Sequence, residues 1–121
     1  MKDMRKGIIA FLAFAGMGIS AMAADVPAYP GGKEAMDKFI ASTMVYPAPA
    51  MENGVEGVVN VKFTVNPDGT IGAIKIVRMV DPDLEQEAIR IVKKMPKWIP
   101  ADKDGQPVES SATVAIPFML K

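Results

Sequence analysis

The 121-residue chain contains no histidine and no cysteine, and only one tryptophan. Without imidazole or thiol groups, the usual zinc sites, thiol nucleophiles and imidazole general bases are excluded. Disulfides are excluded as well, so a folded domain must rely on its core. Net charge is also lacking: 14 Lys and Arg balance 14 Asp and Glu. Residues 1–23 hold Lys2, Arg5, Lys6 and Asp3; without them 11 basic and 13 acidic groups remain, a net charge of −2. Nucleic acid is therefore not an expected partner, because counterion release needs a concentrated basic surface. The one basic cluster, Lys93, Lys94 and Lys97, reads as a solvated helix end that complements the macrodipole.

Half of the residues are apolar and 23% are charged, a balance that suits one folded domain. The uncharged stretch Gly7–Ala24 follows three basic residues and reads as a secretory signal or a membrane anchor. As a helix it would span ~27 Å, close to the bilayer core. Its apolar strength lies in Ile8–Phe14, and Ala21-Met22-Ala23 supplies a signal-peptidase pattern, so cleavage after Ala23 is expected. No cysteine is present to carry a lipid. The expected division is residues 1–23 as signal peptide or N-terminal anchor, 24–45 as lead-in and first helix, and 46–121 as the main domain.

Tyr29-Pro30-Gly31-Gly32 predicts a turn, and Met36, Phe39, Ile40 and Met44 then fit one face of a helix over 33–43. Tyr46-Pro47-Ala48-Pro49 predicts extended chain towards Gly54. From Val55 to Val65 the odd positions are apolar or Gly, while Glu56, Asn60, Lys62 and Thr64 mark a wet face, which is the pattern of a strand. Asn66-Pro67-Asp68-Gly69 suits a hairpin turn. The return strand is expected over 70–80, with a β-bulge near Gly72–Ala73 bringing Ile71, Ile74 and Ile76 into phase. Asp81-Pro82-Asp83 reads as a helix start, Leu84, Ala88, Ile91, Val92 and Met95 as its buried face, and Pro96 as its stop. Trp98 should cover an edge of the core, with its indole N–H seeking a partner. After a turn at Asp102–Gly105, strict alternation from Val108 to Leu120 predicts the last strand. Pro117 cannot donate to a ladder, which puts that strand at a sheet edge. The fold class is α+β: a two-layer sandwich with a short antiparallel sheet of about three strands packed on two helices.

Little here can do chemistry. Ser110-Ser111 lack a glycine-rich elbow, and the run Asp81, Asp83, Glu85, Glu87 caps a helix rather than circling a calcium loop. No metal, cofactor or enzymatic activity is expected. The sheet remains. Unpaired strand edges recruit other chains, and in Val108–Ala115 only Glu109 carries charge. Such an edge binds an extended peptide as an added strand, pairs with a second copy, or is covered by the chain's own residues.

The ordered set Tyr46-Pro47, Gly54-Val55-Glu56-Gly57, Val59–Phe63, Pro67-Asp68-Gly69, Ile74-Lys75-Ile76, Trp98 and Ile116-Pro117-Phe118 closely resembles the C-terminal domain of the TonB family. The Tyr29–Gly32 lead-in is similar to that of many Bacteroidetes-type members. The resemblance implies a periplasmic module whose partner is a TonB-dependent outer-membrane transporter, bound through its TonB-box peptide. By position it implies pairing through Val108, Glu109, Ser110, Ser111, Ala112, Thr113, Val114 and Ala115, with Tyr46 and Pro47 beside the contact. A homodimer through the same edge is the alternative. Full TonB proteins carry a long proline-rich spacer; here Ala24–Ala28 precede Tyr29, a reach of ~18 Å.

Overall fold

The computed structural model describes residues 25–120; the expectation for residues 1–23 lies outside them. In chain order the elements are α1 (Gly32–Thr43), α2 (Ala48–Glu52), β1 (Gly57–Val65), β2 (Ile71–Ile76), α3 (Pro82–Lys93), β3 (Ala101–Lys103), β4 (Gln106–Val108) and β5 (Ser110–Phe118). An antiparallel sheet runs in the order β2-β1-β5, and β3 and β4 form a separate two-stranded ribbon. The α+β expectation holds, with α2 and the ribbon as additions.

Period-two burial builds the sheet's inner face. Val59, Val61, Phe63 and Val65 of β1 and Val114, Ile116 and Phe118 of β5 are buried, while Lys62, Ser111, Thr113, Ala115 and Pro117 face outward and exposed. Onto this face α3 lays Leu84, Ala88, Ile91 and Val92. Each large apolar side chain so buried contributes roughly 1.5–3 kcal/mol. The start of α3 is fixed as its sequence predicts: the Asp81 carboxylate accepts from the Asp83 and Leu84 N–H groups at 3.0 and 3.1 Å. The Glu85 carboxylate reaches back to the Val80 N–H at 2.6 Å.

At the hairpin, the Asn66 N–H bonds the Thr70 carbonyl at 2.9 Å, and Gly69 adopts φ 89°. The expected bulge is present: Thr64 faces Gly72 and Lys62 faces Lys75, so Phe63 opposes the pair Ala73–Ile74 and Ala73 is driven to φ 46°. Ile71, Ile74 and Ile76 thereby pack against the core. The return strand stops at Ile76 rather than Val80. Val77 makes one last bond to the Asn60 carbonyl, and Val77–Val80 are exposed, with no core face left to cover.

Two further expectations are corrected. Residues 48–52 are helical rather than extended: Pro47 occupies the cap and Pro49 falls in the first turn, where an N–H would lack an intrahelical partner anyway. The last strand begins at Ser110, and Val108 belongs to the ribbon, paired with Ala101. Asp104 and Gly105 both take positive φ, 53° and 79°, as a tight hairpin turn requires, and fold Gln106–Val108 back on Ala101–Lys103.

Candidate strand-binding groove

β5 is an edge strand, and the direction of its free backbone groups follows from its neighbours. The Asn60 carbonyl bonds the Val77 N–H at 2.9 Å, so Asn60 turns its backbone groups towards β2 and away from β5. Its partner across the other ladder is Ala115. In an antiparallel ladder such a pair shares no hydrogen bonds, so the N–H and C=O of Ala115 point outward. By alternation those of Ser111 and Thr113 do the same, and Pro117, opposite Val58, needs no donor there. Ser110, Ala112 and Val114 turn theirs inward, to β1. Along Ser110–Phe118 there is no charged side chain.

β2, the opposite edge, is shorter, bulged at Ala73 and carries exposed Lys75, devices that discourage pairing. β5 has none of these, Pro117 excepted.

Facing the free rim is α1. Two adjoining hollows lie between them. One, of about 500 Å³, is lined by Tyr29, Met36, Trp98 and Thr113–Ala115 among others. The second, of about 740 Å³, is lined by Ile40, Ala41, Met44, Val58, Ala115 and Pro117. Lys33, Asp37 and Ala115 line both, so the hollows form one trough. The Lys33 ammonium bonds the Asp37 carboxylate at 2.8 Å, and both side chains are exposed.

The position of α1 is set by its ends. At the start, the Gly32 N–H closes the turn on the Tyr29 carbonyl at 2.8 Å. The buried Tyr29 ring meets Trp98 edge-on at 5.7 Å and Phe39 at 6.2 Å. Just before it, Ala28 and Ile99 exchange two backbone hydrogen bonds of 2.9 and 2.8 Å. At the exit, Glu87 of α3 accepts from the Val45 N–H at 2.7 Å, and Arg90 donates to the Thr43 carbonyl at 2.8 Å. Glu87 is buried, and hydrogen bonding from Arg90 holds its carboxyl below the ordinary glutamate range against the effect of burial.

The structure brings Ser111, Thr113 and Ala115 to the rim, with Ser110, Ala112 and Val114 behind them in the ladder. Val108 and Glu109 lie off it: Val108 is committed to Ala101, and Glu109 links the ribbon to β5. Tyr46 stands at the Phe118 end, ring to ring at 5.8 Å, and its hydroxyl donates to the Val55 carbonyl. Burial, together with Glu56 and Asp81, raises that hydroxyl above the usual tyrosine range and keeps it a donor. Pro47 lines a different hollow, with Val45, Asp83, Gln86, Glu87 and Arg90. Nothing local in the sequence marks α1 or Trp98 as part of a site: the spacing of Met36 and Met44 predicts a buried face without saying which surface that face meets. The Trp98 indole N–H and the Ser110 hydroxyl are buried without a hydrogen-bond partner.

Among the described residues no group of three or more acidic, His or Cys side chains could hold a metal. No helix there is long and apolar enough to cross a membrane.

The family model described as the Gram-negative bacterial TonB protein C-terminal matches residues 42–120. The chain belongs to the TonB C-terminal family. A solution structure of Helicobacter pylori TonB-CTD is 28% identical with a TM-score of 0.55, over 73% of this chain and 92% of that one. A longer H. pylori TonB-CTD fragment gives 27% and 0.54, over 71% and 78%. No curated protein matches. Nearly all of α1 precedes the stretch matched to the TonB family.

Proposed function

We propose that this TonB-type domain is a periplasmic protein-binding module. It takes up a short extended segment, of the TonB-box kind, from an outer-membrane transporter as an added strand on β5, in TonB-dependent transport. The observation that carries this reading is the uncharged rim of Ser111, Thr113 and Ala115, whose outward N–H and C=O groups have no strand partner among the described residues. About five main-chain hydrogen bonds at ~0.5–1.5 kcal/mol net each give a gross gain of ~3–8 kcal/mol. The entropy of fixing a flexible peptide reduces this, so untethered binding is weak. The reading assigns no catalysis and no cofactor.

The test is an amide NMR titration of the exported protein with TonB-box peptides. The amides of Ser111, Thr113 and Ala115 should move most, while those of Ala112 and Val114, already bonded to β1, should move less. Shifts centred on β2 or on the ribbon would overturn the assignment.

A further inference from the structure

We infer that the outer face of the β-sheet, on the side away from α3, docks on an anionic lipid surface. Lys62 and Lys75 meet the headgroups, and Val77 and Met79 enter the interface. Nothing in this rests on strand addition: the rim of β5 points sideways in the plane of the sheet, whereas this surface is the sheet's open face.

Of the outward side chains of β1, β2 and β5, Lys62 and Lys75 alone are charged. They stand directly opposite each other across the β1–β2 ladder, and neither forms an ion pair among the described residues. Like charges so placed repel, and an external anion relieves them. The nearest acid in phase, Glu56, is turned to the Leu120 N–H at 2.6 Å. The face is thus cationic, although the chain outside residues 1–23 carries a net charge of −2.

Beside the lysines the surface turns apolar. Val77 bonds through its N–H to Asn60, Val58 follows on β1 opposite Pro117, and Val80 rests against Gly57. Val77 and Met79 are 56% and 86% exposed. Exposed apolar residues gathered in one patch mark an interaction surface.

Shape and charge favour a bilayer over a folded partner. Val77, Met79 and Val80 line none of the hollows. Protein partners concentrate their binding energy in pockets that seat an anchor, whereas a fluid lipid interface moulds itself around an exposed side chain. The acids that follow, Asp81 and Glu85, are drawn to backbone N–H groups at the start of α3. A second copy would bring the same two cations to this face. An anionic bilayer supplies both the charge and the apolar medium, and such paired signals are what surface attachment needs.

The experiment sediments the exported protein with vesicles of phosphatidylglycerol mixed with phosphatidylcholine, and with vesicles of phosphatidylcholine alone. Only the anionic vesicles should retain it, and added salt should release it. Lys62→Gln combined with Lys75→Gln should weaken retention about 30-fold. Met79→Ser should weaken it about tenfold. All three positions are exposed, so urea unfolding should not separate the variants from the unaltered protein. A nitroxide-labelled lipid should broaden the methyl signals of Val58, Val77 and Met79 and spare those of Leu84, Ala88 and Ile91 on α3. Absence of retention, or equal retention on both vesicle types, would overturn the inference. So would retention that the double lysine variant leaves intact, since binding would then lie elsewhere in the chain. Broadening centred on α3, or a concentration-dependent dimer whose amide shifts fall on Val58 and Val77, would refute it as well. Each of these failures leaves the reading of β5 untouched.

Discussion

Gly69 lies directly under the backbone of Trp98: its carbonyl accepts the Trp98 N–H at 2.9 Å, and a Cβ at position 69 would stand 2.3 Å from the Trp98 carbonyl oxygen. The hairpin tip therefore locates the tryptophan that floors the groove. With φ at 89°, Gly69 also holds a backbone conformation that side chains resist. Gly69→Ala should destabilise the domain by about 2–4 kcal/mol, from the conformational penalty and the forced displacement together. Urea unfolding followed by Trp98 fluorescence measures it. A midpoint equal to that of the unaltered protein would show that the tip can move without cost.

Main-chain direction along β5 separates binding from folding. The Thr113 N–H points outward, so Thr113→Pro should leave stability within about 1 kcal/mol, as Pro117 is already tolerated. It should abolish rim binding of a peptide. Ala112 turns its N–H towards Phe63, so Ala112→Pro breaks the central ladder and should cost about 3 kcal/mol or more. Denaturant unfolding of both variants, beside peptide titration, checks the pair. Equal destabilisation would mean the ladder phase is wrong.

Glu87 ties the exit of α1 to α3. Its carboxyl is held low chiefly by the Arg90 hydrogen bonds and also by the Val45 N–H. A depressed folded-state value means that this contribution is fully present above the ordinary glutamate pKa and is lost as pH falls through the lowered one. Glu87→Gln should lower stability at pH 7 and flatten the fall in stability across the acid range. Thermal unfolding between pH 7 and pH 3 reads both. An unchanged acid slope would remove Glu87 from the account.

Local chemistry made much of this fold legible. The β1 alternation, the Asp81 cap and the glycine and proline positions of the hairpin each carry a physical requirement within a few residues, and each is met. The Ala73 bulge was readable because Ile71, Ile74 and Ile76 cannot all face one way in an unbroken strand. What could not be read depended on distance or degeneracy. Alternation runs through Glu109 without a change of phase, so the break between ribbon and β5 left no mark. Pro47 and Pro49 look like helix breakers until one of them caps. At the site, Pro117 betrayed the free edge, whereas Lys33 and Asp37 at i, i+4 are indistinguishable from any solvated helix face.

α1 ends at Thr43 and the family match starts at residue 42. A protein trimmed to that boundary would keep the residues of its β-sheet but forfeit the Tyr29 ring that packs edge-on against Trp98. Trp98, 7% exposed in the intact domain, would then open to solvent and its emission would move to the red.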